Sequence, residues 1–354
     1  MSYVILVDGN NLAWKAIHAY DLKTSSGEDT SAIYGFLSQF ISTMNGKKLR
    51  TVVVWDGGYP ERTAMTNAAI EKGFIKSGYK TNRTSFEERQ LDPKLSTIEK
   101  QMKCIQEVLS YTDVKQVVIA GQEADDVIAS YCEKIKEKAK VLCLTCDHDY
   151  YQLIDDNVAI ISRWKGVQTL LTKTRFIQDY GIEPYQWVEV GALCGDSSDS
   201  IEGVPGCGET TALEYIKKYQ TVTDLLVAME DKFAPLRLAL PDVGTQNEIE
   251  NLLEAGGKRG KSFAFEGVYV GMPFSGVALA LAKEEIKNIK KIELKFAMYK
   301  ERILLARNLK RMNRNINVPN ITFTPSFKKD KFDDFCNRYE LKSLINQTEV
   351  FDLS

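Results

Sequence analysis

Val4-Ile5-Leu6-Val7-Asp8-Gly9-Asn10-Asn11 sets four apolar residues before a carboxylate and a turn-forming Gly-Asn-Asn. A short apolar run without polar alternation marks a strand buried on both faces, as in a parallel sheet. The same pattern recurs at residues 51–55, 116–120, 141–145 and 158–162, with helix-like stretches such as 95–110 and 124–138 between. Strands alternating with helices predict an α/β fold, a central, mainly parallel sheet flanked by helices.

Such sheets bind ligands beyond the carboxyl ends of their strands. The acidic residues fall there. Asp8 follows the first run and Asp56 the second; Glu123, Asp125 and Asp126 follow the third, Asp147 and Asp149 the fourth. Taken singly, each has an ordinary explanation as a turn former or helix cap. Taken together they repel one another, and gathering them at one edge costs stability unless cations neutralise them. Oxygen ligands without Cys or His suit Mg²⁺ or Mn²⁺. Two such ions about 3.5–4 Å apart clamp a phosphodiester, so the pattern points to metal-assisted hydrolysis.

The remaining composition excludes competitors. The 354 residues are 44% hydrophobic and 27% charged, an ordinary globular balance. No apolar run approaches the ~18 residues of a membrane span. The N-terminus lacks the basic start and cleavage site of a signal peptide, so a cytoplasmic location is expected. Seven cysteines are scattered and odd in number, and His18 and His148 are the only histidines. Cys143 and Cys146 have CxxC spacing, but the apolar setting of Cys143 and the missing second pair argue for strand cysteines over zinc. Two histidines outside any triad context leave nucleophilic catalysis unsupported. The net charge of −2 selects no partner, but residues 283–314 hold eleven Lys/Arg against four Glu. A near-neutral chain can thus set a basic track beside an acidic pocket.

From about residue 172 the strand pattern gives way to helices. An α/β domain over 1–190 and a helical one over 191–354 are expected. Within the second, Gly195-Asp196-Ser197-Ser198-Asp199 leads to Gly203-Val204-Pro205-Gly206-Cys207-Gly208 and a helix over 209–219. Residues 240–276 read as a loop-rich insertion, 284–311 as a basic helical segment and 332–345 as a closing helix.

Five segments in order, Val7-Asp8-Gly9-Asn10-Asn11-Leu12, Trp55-Asp56-Gly57, Gly121-Gln122-Glu123-Ala124-Asp125-Asp126, Thr145-Cys146-Asp147-His148-Asp149 and Gly195-Asp196-Ser197-Ser198-Asp199, resemble the successive motifs of the 5′ nucleases. That family includes flap endonucleases, phage 5′-3′ exonucleases and the 5′-nuclease domain of bacterial DNA polymerase I. Any one segment is a weak signal; five in order, over roughly the first 220 residues, are specific. A fainter likeness continues through Leu304-Leu305-Ala306-Arg307-Asn308-Leu309-Lys310. The resemblance implies a PIN-like catalytic domain. It also implies two metal ions held, directly or through water, by Asp8, Asp56, Glu123, Asp125, Asp126, Asp147, Asp149, Asp196 and Asp199. Two departures, His148 where Lys is common and Ser200 where Asn is usual, remove no carboxylate.

Tyr79-Lys80-Thr81-Asn82-Arg83 is similar to the family's Tyr-Lys-x-x-Arg motif at the base of a helical arch, expected here over about 61–91. By that likeness Lys80 meets the scissile phosphate, Arg83 a second phosphate, and Tyr79 stacks on a nucleobase. Gly203, Val204, Gly206 and Gly208 belong to a segment that resembles the hairpin of a helix–hairpin–helix, expected over about 195–220. In relatives this element grips duplex backbone and often holds K⁺. Glu209-Thr210 stands where Pro-Lys is typical, a lost cation that the 283–314 segment is expected to offset.

The reading is a monomeric structure-specific 5′ nuclease acting on flaps, nicks or RNA primers in replication or repair. It is expected to be free-standing as in phage enzymes, in a bacterial or phage-infected cell. Single-strand-binding or replisome proteins are the expected partners, with no membrane. The rivals are a catalytically inert junction-binding relative and a metal-dependent phosphatase; a small substrate would need neither the hairpin nor the Tyr79–Arg83 segment.

Overall fold

A computed structural model describes residues 2–82, 93–164, 167–237 and 290–353. Arg83, the rest of the expected arch to residue 91, the 240–276 insertion and residues 283–289 of the basic segment lie outside these. Six strands form one sheet in the order β3-β2-β1-β4-β5-β6. They are β1 (Tyr3–Asp8), β2 (Arg50–Trp55), β3 (Lys115–Val118), β4 (Lys140–Leu144), β5 (Val158–Trp164) and β6 (Val167–Leu171). All pairings are parallel except β5 with β6.

Helices α1 (Gly9–Ala19), α2 (Ser31–Met44), α3 (Pro60–Glu71), α4 (Pro93–Leu109) and α5 (Ala124–Ile135) connect the strands. After the sheet come α6 (Lys173–Tyr180), α7 (Trp187–Cys194), α8 (Glu209–Tyr219), α9 (Val222–Arg237), α10 (Lys291–Met298), α11 (Lys300–Lys310), α12 (Lys329–Arg338) and α13 (Lys342–Ile345). A two-stranded ribbon, β7 (Gly195–Asp196) with β8 (Ile201–Glu202), sits between α7 and α8. No helix among the described residues is long and apolar enough to cross a membrane.

The unbroken apolar strands follow from burial on both sides. Ile5, Val7, Val53 and Trp55 pack on one face with Phe36 and Phe40 of α2 and Ile105 of α4. Val4, Leu6, Val52 and Cys143 pack on the other with Val127, Ile128 and Tyr131 of α5. The helical half continues this second core through Phe176, Trp187, Ile216, Phe296 and Ile303. The tail then returns to the first face, burying Phe332, Phe335 and Phe351. Residues on both sides of the 190/191 division therefore share that core, and α7 runs across the division itself.

β1 lies between β2 and β4, so the chain winds outward through β2 and β3 and then returns to the other side of β1. That reversal opens a crevice at the carboxyl ends of β1 and β4. Asp8 and Asp147 stand on either side of it.

Candidate active site

Asp8 ends β1 and caps α1: its Oδ1 accepts the Asn11 N–H at 3.0 Å and its Oδ2 the buried Tyr150 hydroxyl at 3.0 Å. The next residues stitch this end to its neighbours. Asn10 Oδ1 accepts the Asp56 N–H, and Asn11 Oδ1 the Cys146 N–H, each at 3.0 Å. A Cβ on Gly9 would lie 2.6 Å from the Trp55 ring, so only glycine fits. Asp56 Oδ1 accepts the Ala124 N–H at 2.9 Å, capping α5 from another loop. The Gly121 N–H donates to Gly57 O at 2.7 Å, and a Cβ on Gly57 would fall 1.9 Å from Ile119 O. Four strand-end loops are thereby locked together, and their carboxylates follow.

The oxygens of Glu123, Asp125 and Asp126 lie within 4.8 Å of one another, the one such group among the described residues. Two protein cations enter it. Arg62 of α3 pairs with Glu123, with Asp126 at 2.9 Å and with Asp125 at 3.7 Å. Lys80 pairs with Glu123, and its Nζ lies 3.9 Å from Asp199. The Tyr79 hydroxyl donates to Glu123 Oε2 at 3.1 Å and is 3.3 Å from Asp199 Oδ2. Burial works against a charged Glu123, but Arg62 and Lys80 outweigh it and hold the carboxyl below its ordinary value. Asp125, beside Asp126 and Glu123, is driven well above its ordinary value, chiefly by burial.

Asp147 caps the short 3₁₀ turn His148–Leu153 through the Asp149 N–H at 2.9 Å. Asp196 lies on β7, and Asp199 in the turn to β8. That turn holds residues 80–82. The Lys80 N–H donates to Asp199 O at 2.8 Å, and Asn82 Nδ2 to Ser197 O at 2.8 Å. Lys80 has φ 55°, a left-handed conformation costly for a side-chain-bearing residue, which this clamp sustains. On the far side Lys310 Nζ lies 2.5 Å from Asp149 and 2.7 Å from Asp196. Burial raises Asp8 and Asp149 to about 7. Asp56 and Asp147 add repulsion at Asp8; Asp147 does so at Asp149, where Lys310 opposes it. An all-oxygen donor set held this close, with several members pushed toward protonation, fits a hard divalent cation.

The metal-site residues named from sequence gather around this sheet edge, where Glu123 and Asp126 line a cavity of about 610 Å³ together with Arg62. Asp147, Asp149, Asp196 and Asp199 share a cavity of about 540 Å³ with Glu209 and Lys310. Tyr79 departs from expectation. Its ring is 5% exposed and meets Tyr59 edge-on at 5.4 Å, so it presents no open face to a nucleobase. His148 is exposed and stacks on Tyr151 at 4.8 Å. The cysteines are free thiols, with Cys143 Sγ 3.6 Å from Cys132 Sγ in the core.

In the hairpin, Val204 is buried and its N–H donates to Leu193 O at 2.8 Å. A Cβ on Gly203 would lie 2.2 Å from the Cys194 carbonyl, and Gly206 has φ 81°. The first helix is α7, so the helix–hairpin–helix begins before the expected residue 195. Lys295 Nζ donates to Pro205 O at 2.7 Å. The basic segment does reach the hairpin there. Elsewhere it pairs inward, Arg302 with Glu202, Arg307 with Glu189 and Arg314 with Glu133. Arg62, Tyr150, Asn10, Asn11 and Lys310 had no assigned part in the sequence reading; an arginine in a helix first turn gives no hint of its target.

The profile of the 5′-3′ exonuclease N-terminal resolvase-like domain matches residues 3–181, and that of the 5′-3′ exonuclease C-terminal SAM fold matches 182–254. The chain belongs to the 5′-3′ exonuclease family. A 5′-3′ exonuclease of Aquifex aeolicus is 32% identical over 229 residues, 64% of this chain and 73% of that protein. Thermostable DNA polymerase I of Thermus thermophilus is 34% identical over 226 residues, 63% of this chain. This chain spans about a quarter of that polymerase's length, 25%. The fold matches T5 5′-exonuclease with bound divalent zinc, at TM-score 0.56 and 18% identity over 96% of this chain and 98% of that one. It also matches the catalytic core of Rad2 in complex with DNA substrate, at 0.55 and 14% over 98% and 93%. The two solved structures share the fold of this chain, the mainly parallel sheet and the helical second half.

Proposed function

We propose that this 5′-3′ exonuclease family member is a structure-specific 5′ nuclease using two divalent ions, Mg²⁺ or Mn²⁺, on DNA carrying a 5′ flap, nick or RNA primer. One observation carries the reading. Carboxylates from four interlocked loops are tied to Lys80, Tyr79 and the Asp196–Asp199 turn at the carboxyl edge of the sheet. Asp8, Asp56, Asp125 and Asp147 would hold one ion, and the Asp149, Asp196 and Asp199 side the other. When bound, the ions supply positive charge to the attacking and leaving oxygens.

The chain's own groups do the rest. Lys80 waits on Glu123 with its ammonium 5.1 and 4.8 Å from the Tyr59 and Tyr79 ring centroids, and turns its charge to the scissile phosphate. Tyr79 keeps Glu123 and Asp199 oriented through its hydroxyl. The hairpin Gly203–Gly208 and the N-terminus of α8 receive duplex phosphates without reading bases. Lys295 restores there the charge lost at Glu209-Thr210. Work in replication or repair, a monomeric state, a bacterial or phage-infected cytoplasm and replisome contacts complete the reading.

The rival, an inert junction binder, would have no use for the retained carboxylates or for Lys80. Binding of a labelled 5′-flap duplex in Ca²⁺, followed by transfer to Mg²⁺, separates the two. Strand scission near the junction is expected; intact flap with undiminished binding would establish the rival.

A further inference from the structure

The nuclease reading uses none of the cysteines, and four of them are buried. Cys104, Cys146 and Cys194 are partly exposed, and Cys146 is set apart by an amine. Lys15 Nζ lies 2.6 Å from Cys146 Sγ. That is closer than the N···O spacing of most N–H···O hydrogen bonds, although sulfur is the larger atom. The backbone fixes the pair. Asn11 and Lys15 are four residues apart on α1 and so share one of its faces. Asn11 Oδ1 accepts the Cys146 N–H at 3.0 Å, which pins the loop after β4 to that face, with Lys15 one turn further on. Cys146 also lines the cavity of about 540 Å³ beside Asp147 and Asp149, where a small oxidant in solvent reaches it. Reactive thiols occupy such settings, partly exposed and next to a cation.

We propose that Cys146 and Lys15 are a modification site, joined by a peroxide into a sulfenamide between Sγ and Nζ and released again by thiols. Hydrogen peroxide first oxidises the Cys146 thiol to a sulfenic acid; the O–O bond breaks and the second oxygen leaves as water. The Lys15 nitrogen then attacks the sulfur. An N–S bond forms, the S–O bond breaks, and the leaving hydroxide takes an amine proton to depart as water. Sulfenic acids condense with a neighbouring nitrogen in this way. In reversal one thiol attacks the sulfur, frees the amine and leaves a mixed disulfide, which a second thiol resolves to the Cys146 thiol. The link joins positions 131 residues apart, so it constrains the unfolded chain. It also removes the positive charge of Lys15 from the loop that carries Asp147, and under the nuclease reading it slows cleavage.

Peptide mass mapping of the full, DNA-free chain after hydrogen peroxide, with and without dithiothreitol, tests the link. Wild type should yield the Lys15 and Cys146 peptides joined and lighter than their sum by two hydrogen atoms. The joined species should vanish with dithiothreitol and be absent from Cys146→Ser. In Lys15→Arg, Cys146 should stop at the sulfenic acid and be labelled by dimedone. The melting temperature of wild type should rise by several degrees on oxidation and fall back with dithiothreitol. Oxidised wild type in which Lys15 stays free, with Cys146 unreacted or carrying only oxygen, overturns the proposal whether or not the protein is a nuclease. Flap cleavage by the linked protein should be several-fold slower and recover with dithiothreitol. A linked protein as fast as the reduced one overturns the effect on the site and leaves the link standing.

Discussion

Lys80 and Tyr79 both touch Glu123, yet they should fail differently when altered. Lys80→Ala removes a charge placed where negative charge develops, so single-turnover cleavage should fall by about 10²–10³-fold. Flap affinity should change far less; equal losses in the two would make Lys80 a plain anchor. Tyr79→Phe keeps the buried ring and deletes only the hydroxyl bonded to Glu123 and Asp199. The lost hydrogen bonds are worth about 1 kcal/mol, and turnover should drop while flap affinity holds. A Phe variant cleaving at the wild-type rate would show that the hydroxyl has no positioning role. At this scale the sequence was informative where chemistry is local. Asp8 and Asp147 are legible as strand-end carboxylates. The companions Arg62 and Lys310 arrive from remote helices, and nothing in their neighbourhoods announces which carboxylate they meet.

Elements show the same division. The parallel strands read clearly because burial on both faces imposes unbroken apolar runs. β6 escaped because its side chains are mostly exposed, so Val167–Leu171 lacks any such run. β3 stops at Val118, short of the expected residue 120, because the chain leaves the sheet toward Gly121 and its lock with Gly57. The hairpin glycines were legible as a close approach, and Gly203 supplies a direct check. Gly203→Ala puts a methyl 2.2 Å from the Cys194 carbonyl, an overpacking cost of about 1–3 kcal/mol. Its melting temperature should fall, and duplex affinity should weaken equally for all base sequences. Sequence-dependent loss would show that the hairpin reads bases.

Across the whole molecule the gathered carboxylates make stability depend on pH and on cations. Asp8 titrates near 3.8 when unfolded but at about 7 in the fold, so between these values the folded state carries the extra proton. Stability therefore falls as pH rises through that window. In EDTA the melting temperature should decline from about pH 4 to about pH 7, and Mg²⁺ should restore it at the upper end. Asp8→Asn should flatten the decline, and a wild-type curve that is flat in EDTA would contradict the repulsion. The shared core, with Phe332 and Phe351 returning against Phe40 of α2, was not legible because the return is long-range and leaves no local pattern.

Single-turnover cleavage of a 5′-labelled flap duplex across a Mg²⁺ series, for wild type and Asp125→Asn, tests the central claim most directly. The account predicts scission near the flap junction, a steeper than first-order rise with Mg²⁺, and loss of cleavage in Asp125→Asn with flap binding retained. Cleavage by wild type in EDTA, or an Asp125→Asn variant as fast as wild type, would contradict it.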